Sequence, residues 1–135
     1  MKKVSAEPSA IQSDLDVYTE HYRATMGDIP EALKALLREA PRVFAGYSAL
    51  RMTLLRPDDG TGLSLGHRHL ILATLDCTVH NLSGAINHAR AAVRNGVTPD
   101  EVRDAMLLLI STHGMPAWGK FGRLVLEAIR TEDQP

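Results

Sequence analysis

From residue 13 to the end of the chain, apolar residues return every three or four positions, the period of a helix with one buried face. Proline and glycine fall between these periodic segments, and no stretch alternates apolar with polar residues as a half-buried strand would. Seven segments follow. The first helix is predicted from Ser13 or Asp14 to about Gly27, and the second from Pro30 through Leu33, Leu36 and Leu37 to Ala40. Pro41 opens the third, which carries Phe44, Tyr47, Leu50 and Leu54. Arg56-Pro-Asp-Asp-Gly-Thr-Gly62 is dense in turn formers. Ser64 can cap a fourth helix running from about Leu65 to His80, and a fifth reaches Asn95, where Asn95-Gly96 makes a C-terminal stop. Thr98-Pro-Asp-Glu101 reads as a capping box with proline inside it, the clearest helix start in the chain. Gly114 and Pro116 divide that sixth helix from a last one bearing Phe121, Leu124, Val125 and Ile129. The expected fold is all-α: a single-domain bundle of six to seven helices over residues 13–135. Residues 1–12 are polar, lack a period and contain Pro8, and are expected to form a flexible tail.

Composition narrows the class of function. A chain of 135 residues with 44% hydrophobic residues and a net charge of -1 matches one ordinary globular domain. Acidic and basic residues are interspersed, so no basic stripe exists to hold a phosphate backbone, and nucleic acid is not an expected partner. No apolar run approaches the ~18 residues that cross a bilayer, and Met-Lys-Lys is followed by no apolar signal core, so a cytoplasmic protein without a membrane partner is expected. Cys77 is the sole cysteine, which rules out an internal disulfide, a CxxC redox cycle and a multi-cysteine zinc site.

Chemistry concentrates in the histidines. Five of six lie between positions 67 and 113: His67, His69, His80, His88 and His113. At ~100° per residue, Asp76 and His80 fall within about 20° of His69 on a fourth helix that is otherwise apolar or small. Such a helix is buried, so its ionisable line must find partners inside the protein or across a subunit boundary. On the fifth helix His88 shares a face with Asn81, Gly84, Ala85, Ala91 and Ala92, opposite Arg90 and Arg94, and therefore points inward among small residues. A buried histidine taken singly is more often structural than catalytic, His67 and His113 sit near helix ends where capping or solvent roles are usual, and Cys77 reads as a small buried hydrophobe. A metal site made of Asp76, His80 and a third ligand, His69 or His88, is one alternative. No cofactor is expected otherwise.

The segments Leu63-Ser-Leu-Gly-His-Arg-His-Leu-Ile-Leu-Ala-Thr-Leu75, His88-Ala-Arg-Ala-Ala-Val-Arg-Asn-Gly-Val-Thr-Pro-Asp-Glu-Val102 and Gly114-Met-Pro-Ala117 resemble, in order, those of carboxymuconolactone decarboxylase-like and alkylhydroperoxidase D-like proteins. The resemblance spans about residues 30–130. It implies a helical homo-oligomer, trimeric or hexameric, acting on a small molecule. Departures from the pattern matter: the peroxidase branch carries its CxxC cysteines where this chain has Asn81 and Gly84, and its relay glutamate matches His69, while His88 matches the family histidine. What the resemblance then implies is a cofactor-independent lyase, decarboxylase or isomerase acting on a small carboxylated lactone or unsaturated acid. His88 would be the general acid or base with His69 and His80 as partners. Asp76 would orient His80, Asn81 would donate to a carbonyl or enolate oxygen, and Arg51 or Arg68 would hold the carboxylate. A non-catalytic or ligand-binding oligomer of the same fold is the second reading, motivated by the missing glutamate and cysteines.

Overall fold

A computed structural model describes residues 10–131. They form seven α-helices and one π-helical turn: α1 (Ala10–Met26), α2 (Glu31–Glu39), α3 (Pro41–Leu54), α4 (Leu65–Thr78), α5 (Leu82–Arg94), α6 (Pro99–Ala117), the turn Trp118–Gly122, and α7 (Arg123–Thr131). Among the described residues none is in a strand, and no helix is long and apolar enough to cross a membrane. Of the tail expected over residues 1–12, residues 1–9 lie outside the described residues. Residues 10–12 instead begin α1, three residues ahead of the expected start.

The chain divides after Leu54 into two units. In the first, α1, α2 and α3 enclose Leu15, Tyr22, Ile29 and Phe44, with Met26, Leu33, Leu36 and Leu37 packed around them. The Tyr22 hydroxyl shares a 3.0 Å hydrogen bond with Ser48 Oγ, which satisfies both polar groups inside this apolar cluster.

In the second unit, α4 and α5 run as an antiparallel pair. Alanines line the seam, Ala73 from α4 and Ala85, Ala89 and Ala92 from α5, all fully buried, so the backbones approach closely. Val102, Met106 and Leu109 of α6 and Val125, Leu126 and Ile129 of α7 complete the core. The expected helix signals operate here as local chemistry. Ser64 Oγ accepts from the His67 N–H, Asn95 is the C-cap of α5, and Thr98 and Glu101 close a reciprocal capping box.

Two departures from regular helix shape the unit. Gly114 has φ 74° and ψ 178°, a conformation nearly confined to glycine, and it kinks α6 just before Pro116. His80 has φ 60°, and among the described residues it is the single non-glycine in the left-handed region. The expected fourth helix to His80 therefore ends two residues early, at Thr78. The end is fixed by hydrogen bonds: the Asn81 N–H donates to the Asp76 carbonyl at 2.9 Å and the His80 N–H to the Cys77 carbonyl at 3.3 Å, so the chain reverses within one turn.

Candidate functional site

The α4–α5 seam brings His69 and His88 face to face. Their Nδ1 atoms are 3.0 Å apart, and the ring centroids are 5.2 Å apart. His69 is only 4% exposed, whereas the His88 side chain retains 17% exposure, so His69 is the inner and His88 the outer member. Two Nδ1 atoms at that distance need one proton between them, which obliges one ring to donate and the other to accept. On the outer side, His88 Nε2 lies 3.9 Å from Asp76 Oδ2. An ionised Asp76 there favours a protonated His88.

Asp76 itself is held by Asn81. The Asn81 Nδ2 donates to Asp76 Oδ1 at 3.2 Å while its Oδ1 accepts the Gly84 N–H at 3.2 Å, capping α5. Burial pushes the Asp76 carboxyl above the usual carboxylate range, and the bond from Asn81 pulls partly the other way. Gly84 leaves room for this pair, because a Cβ at that position would stand 2.3 Å from Asn81 Nδ2 and 2.7 Å from Asp76 Oδ2. At the two positions where a CxxC pair was expected to be missing, the chain thus builds a carboxylate–amide clamp.

The remaining expected site residues lie elsewhere. Asp76 was expected to orient His80; instead it faces His88, and His80 stacks on Phe121 with ring centroids 5.1 Å apart. The reason is the early end of α4: a left-handed residue does not continue the helical line that had placed His80 above Asp76. The metal alternative loses its ligand set with that turn, and among the described residues no three His, Cys, Asp or Glu side chains are grouped to hold an ion. Arg68 is spent on the Arg56–Gly62 loop, donating to the Arg56 carbonyl at 2.8 Å and lying 3.3 Å from Asp58 Oδ1. Arg51 belongs to the first unit. It is 7% exposed there, donates to His21 Nε2 at 2.9 Å and to Met26 Sδ, and stands over the Tyr22 ring at 5.1 Å.

Cys77 is buried, with Sγ 3.9 Å from Met106 Sδ. Burial, with Asp76 adding like-charge repulsion, pushes its thiol up to about 11, so it is not a thiolate at neutral pH. The His67 ring bonds the side chains of Ser64 and Glu101 at the start of α4, where Ser64 is the cap. Sequence reasoning missed the cavity that His80 and His113 share with Lys120 and Phe121; its signal was the Gly114-Met-Pro116 break.

The family model described as the carboxymuconolactone decarboxylase family matches residues 41–127. The chain is also similar to a solved structure from Burkholderia xenovorans LB400, a carboxymuconolactone decarboxylase by provisional assignment. The two share 40% identity over 92% of this chain and 94% of that one, with a TM-score of 0.84. No curated protein matches. On the family match and the structural likeness together, the chain belongs to the carboxymuconolactone decarboxylase family.

Proposed function

We propose that the protein is a cofactor-independent decarboxylase of small carboxylated lactones or related unsaturated acids, with His88 as general acid and base. The observation that carries this reading is the 3.0 Å contact between the two Nδ1 atoms, with Asp76 beyond the far nitrogen of His88. If His88 donates its Nδ1–H to His69, its Nε2 holds a lone pair when the ring is neutral and a proton when it is charged. His69 then acts as the buried orienting partner, fixing the tautomer as the carboxylate of a catalytic triad does. Asp76 stabilises the imidazolium, and the second amide N–H of Asn81 is available to a developing enolate oxygen.

In this scheme the bond from the substrate carbon to its carboxylate breaks, and the electron pair enters the conjugated carbonyl system as an enolate. Carbon dioxide leaves. The His88 imidazolium gives its Nε2 proton to carbon, and His88 regains one from water. A carboxylate receptor is still required, and Arg51 and Arg68, the cations expected for it, are engaged elsewhere, at His21 and at the Arg56 carbonyl. The reading includes a homo-oligomer, supported by Ile71 and Leu75, exposed one turn apart on α4, and by the exposed C-cap residue Val79 that follows them.

The test is turnover of a carboxylated muconolactone, followed by loss of ultraviolet absorbance and release of carbon dioxide. His88→Ala is expected to lower the rate by about two to four orders of magnitude, the usual weight of a general acid or base. An unchanged rate rejects the assignment.

A further inference from the structure

Beyond the kink at Gly114, the chain leaves a cavity of about 360 Å³ against the end of α4. Cys77, Thr78 and His80 line one side, and His113, Pro116, Ala117, Lys120 and Phe121 the other. Neither member of the His69–His88 pair reaches it, nor does Asp76. Its volume falls at the small end of the range for ligand sites. The walls divide by chemistry. Phe121, Pro116, Ala117 and Cys77 offer apolar surface, while Lys120 and the imidazoles of His80 and His113 supply hydrogen-bond donors. No carboxylate lines the cavity, and Lys120 pairs with none among the described residues.

The backbone shows an independent mark. His80 holds φ 60°, which an L-residue adopts at a cost, and in that conformation its ring is laid flat on Phe121 with the planes 13° apart. Glycine would take the same turn without strain, so what the histidine adds is the imidazole at the cavity wall.

We propose that this cavity is a second ligand site, taking a small unsaturated or aromatic monocarboxylic acid. The carboxylate lies among Lys120, His80 and His113, and the apolar body lies along Phe121, Pro116 and Ala117. The site is independent of the reaction proposed above.

The probe is crotonate, with uncharged crotonamide as control, read by the imidazole C–H resonances of the full-length protein. Crotonate is expected to shift His80 and His113 in a saturable manner, in His88→Ala as in the wild type. Crotonamide is expected to bind at least about ten-fold more weakly, because it lacks the charge that strengthens each hydrogen bond. Lys120→Met, an exposed position whose change leaves the core intact, is expected to weaken crotonate by about ten-fold. His80→Gly keeps the turn and relieves its φ. It is expected to melt no lower than the wild type and to lose affinity by a similar factor. Saturable shifts confined to His69 and His88, equal affinity in Lys120→Met and His80→Gly, or no saturation by about 50 mM would each overturn the proposal.

Discussion

Gly84→Ala separates two opposed effects at one position of α5. Alanine is the better helix former by about 0.8–1 kcal/mol, so an unencumbered glycine in this helix would be stabilised by the change. Here the new Cβ would come within 2.3 Å of Asn81 Nδ2, 2.7 Å of Asp76 Oδ2 and 2.9 Å of Asn81 Cγ. Contacts that short cannot persist, and the groups that must give way are the Asn81 cap and its bond to Asp76. The cap is worth about 1 kcal/mol. The bond to a carboxylate, discounted because Asn81 is exposed, is worth about 1 kcal/mol more. Set against the propensity gain, the net expectation is a loss of about 1 kcal/mol, or about 3–5 °C in melting temperature for a chain of this size. Thermal and urea unfolding of the variant beside the wild type measure it. A variant that melts at or above the wild type refutes the reasoning, since the clamp would then have yielded without cost. The same variant displaces Asp76 from His88, so turnover of any confirmed substrate should fall by more than the stability change explains.

Asp76 supplies a pH signature. Its carboxyl titrates above the usual range in the folded chain, so between its unfolded and folded values the native state holds the proton more tightly. Stability from this group is greatest below the unfolded value and declines as pH rises through the folded one. The melting temperature of Asp76→Asn should therefore gain on the wild type from about pH 4 toward neutrality, and a constant gap over that span contradicts it. Cys77, buried and with its thiol pushed up to about 11, should resist a thiol-specific disulfide reagent at pH 8 in the native protein and react on unfolding; prompt native labelling would contradict its burial. Arg51→Met should leave stability within about 1 kcal/mol of the wild type or raise it, because a buried guanidinium with no carboxylate partner among the described residues is replaced by an apolar group of similar length. Burial and then Arg51 hold His21 below the ordinary histidine value, so proton-resonance titration should find His21 higher in this variant, and an unmoved or lower value would contradict the pairing.

The sequence made the helices legible wherever a boundary is written in side chains that act locally. Ser64, Asn95 and the Thr98–Glu101 box bond to backbone within a few residues, so pattern and position agree. The inward direction of His69 and His88 was legible too, as rotation about two helix axes. Their contact at 3.0 Å was not, because it depends on how closely four alanines let α4 approach α5. His80 was misplaced for a physical reason. Thr78-Val-His80 contains no glycine or proline to mark a stop, and the helix ends because Asn81 prefers to cap α5 and return a bond to Asp76. Arg51 and Arg68 were equally opaque, since a long cationic side chain finds its acceptor through tertiary placement and not through its neighbours in sequence.

The kink at Gly114 carries an evolutionary corollary. With φ 74° and ψ 178°, this residue permits almost no replacement, whereas a methyl group at Gly46 or Gly119 would meet no atom within 4 Å. Divergent relatives that keep the Phe121 cavity should accordingly be fixed for glycine at 114 and drift freely at 46 and 119, and those that have lost the cavity should be the ones in which 114 mutates.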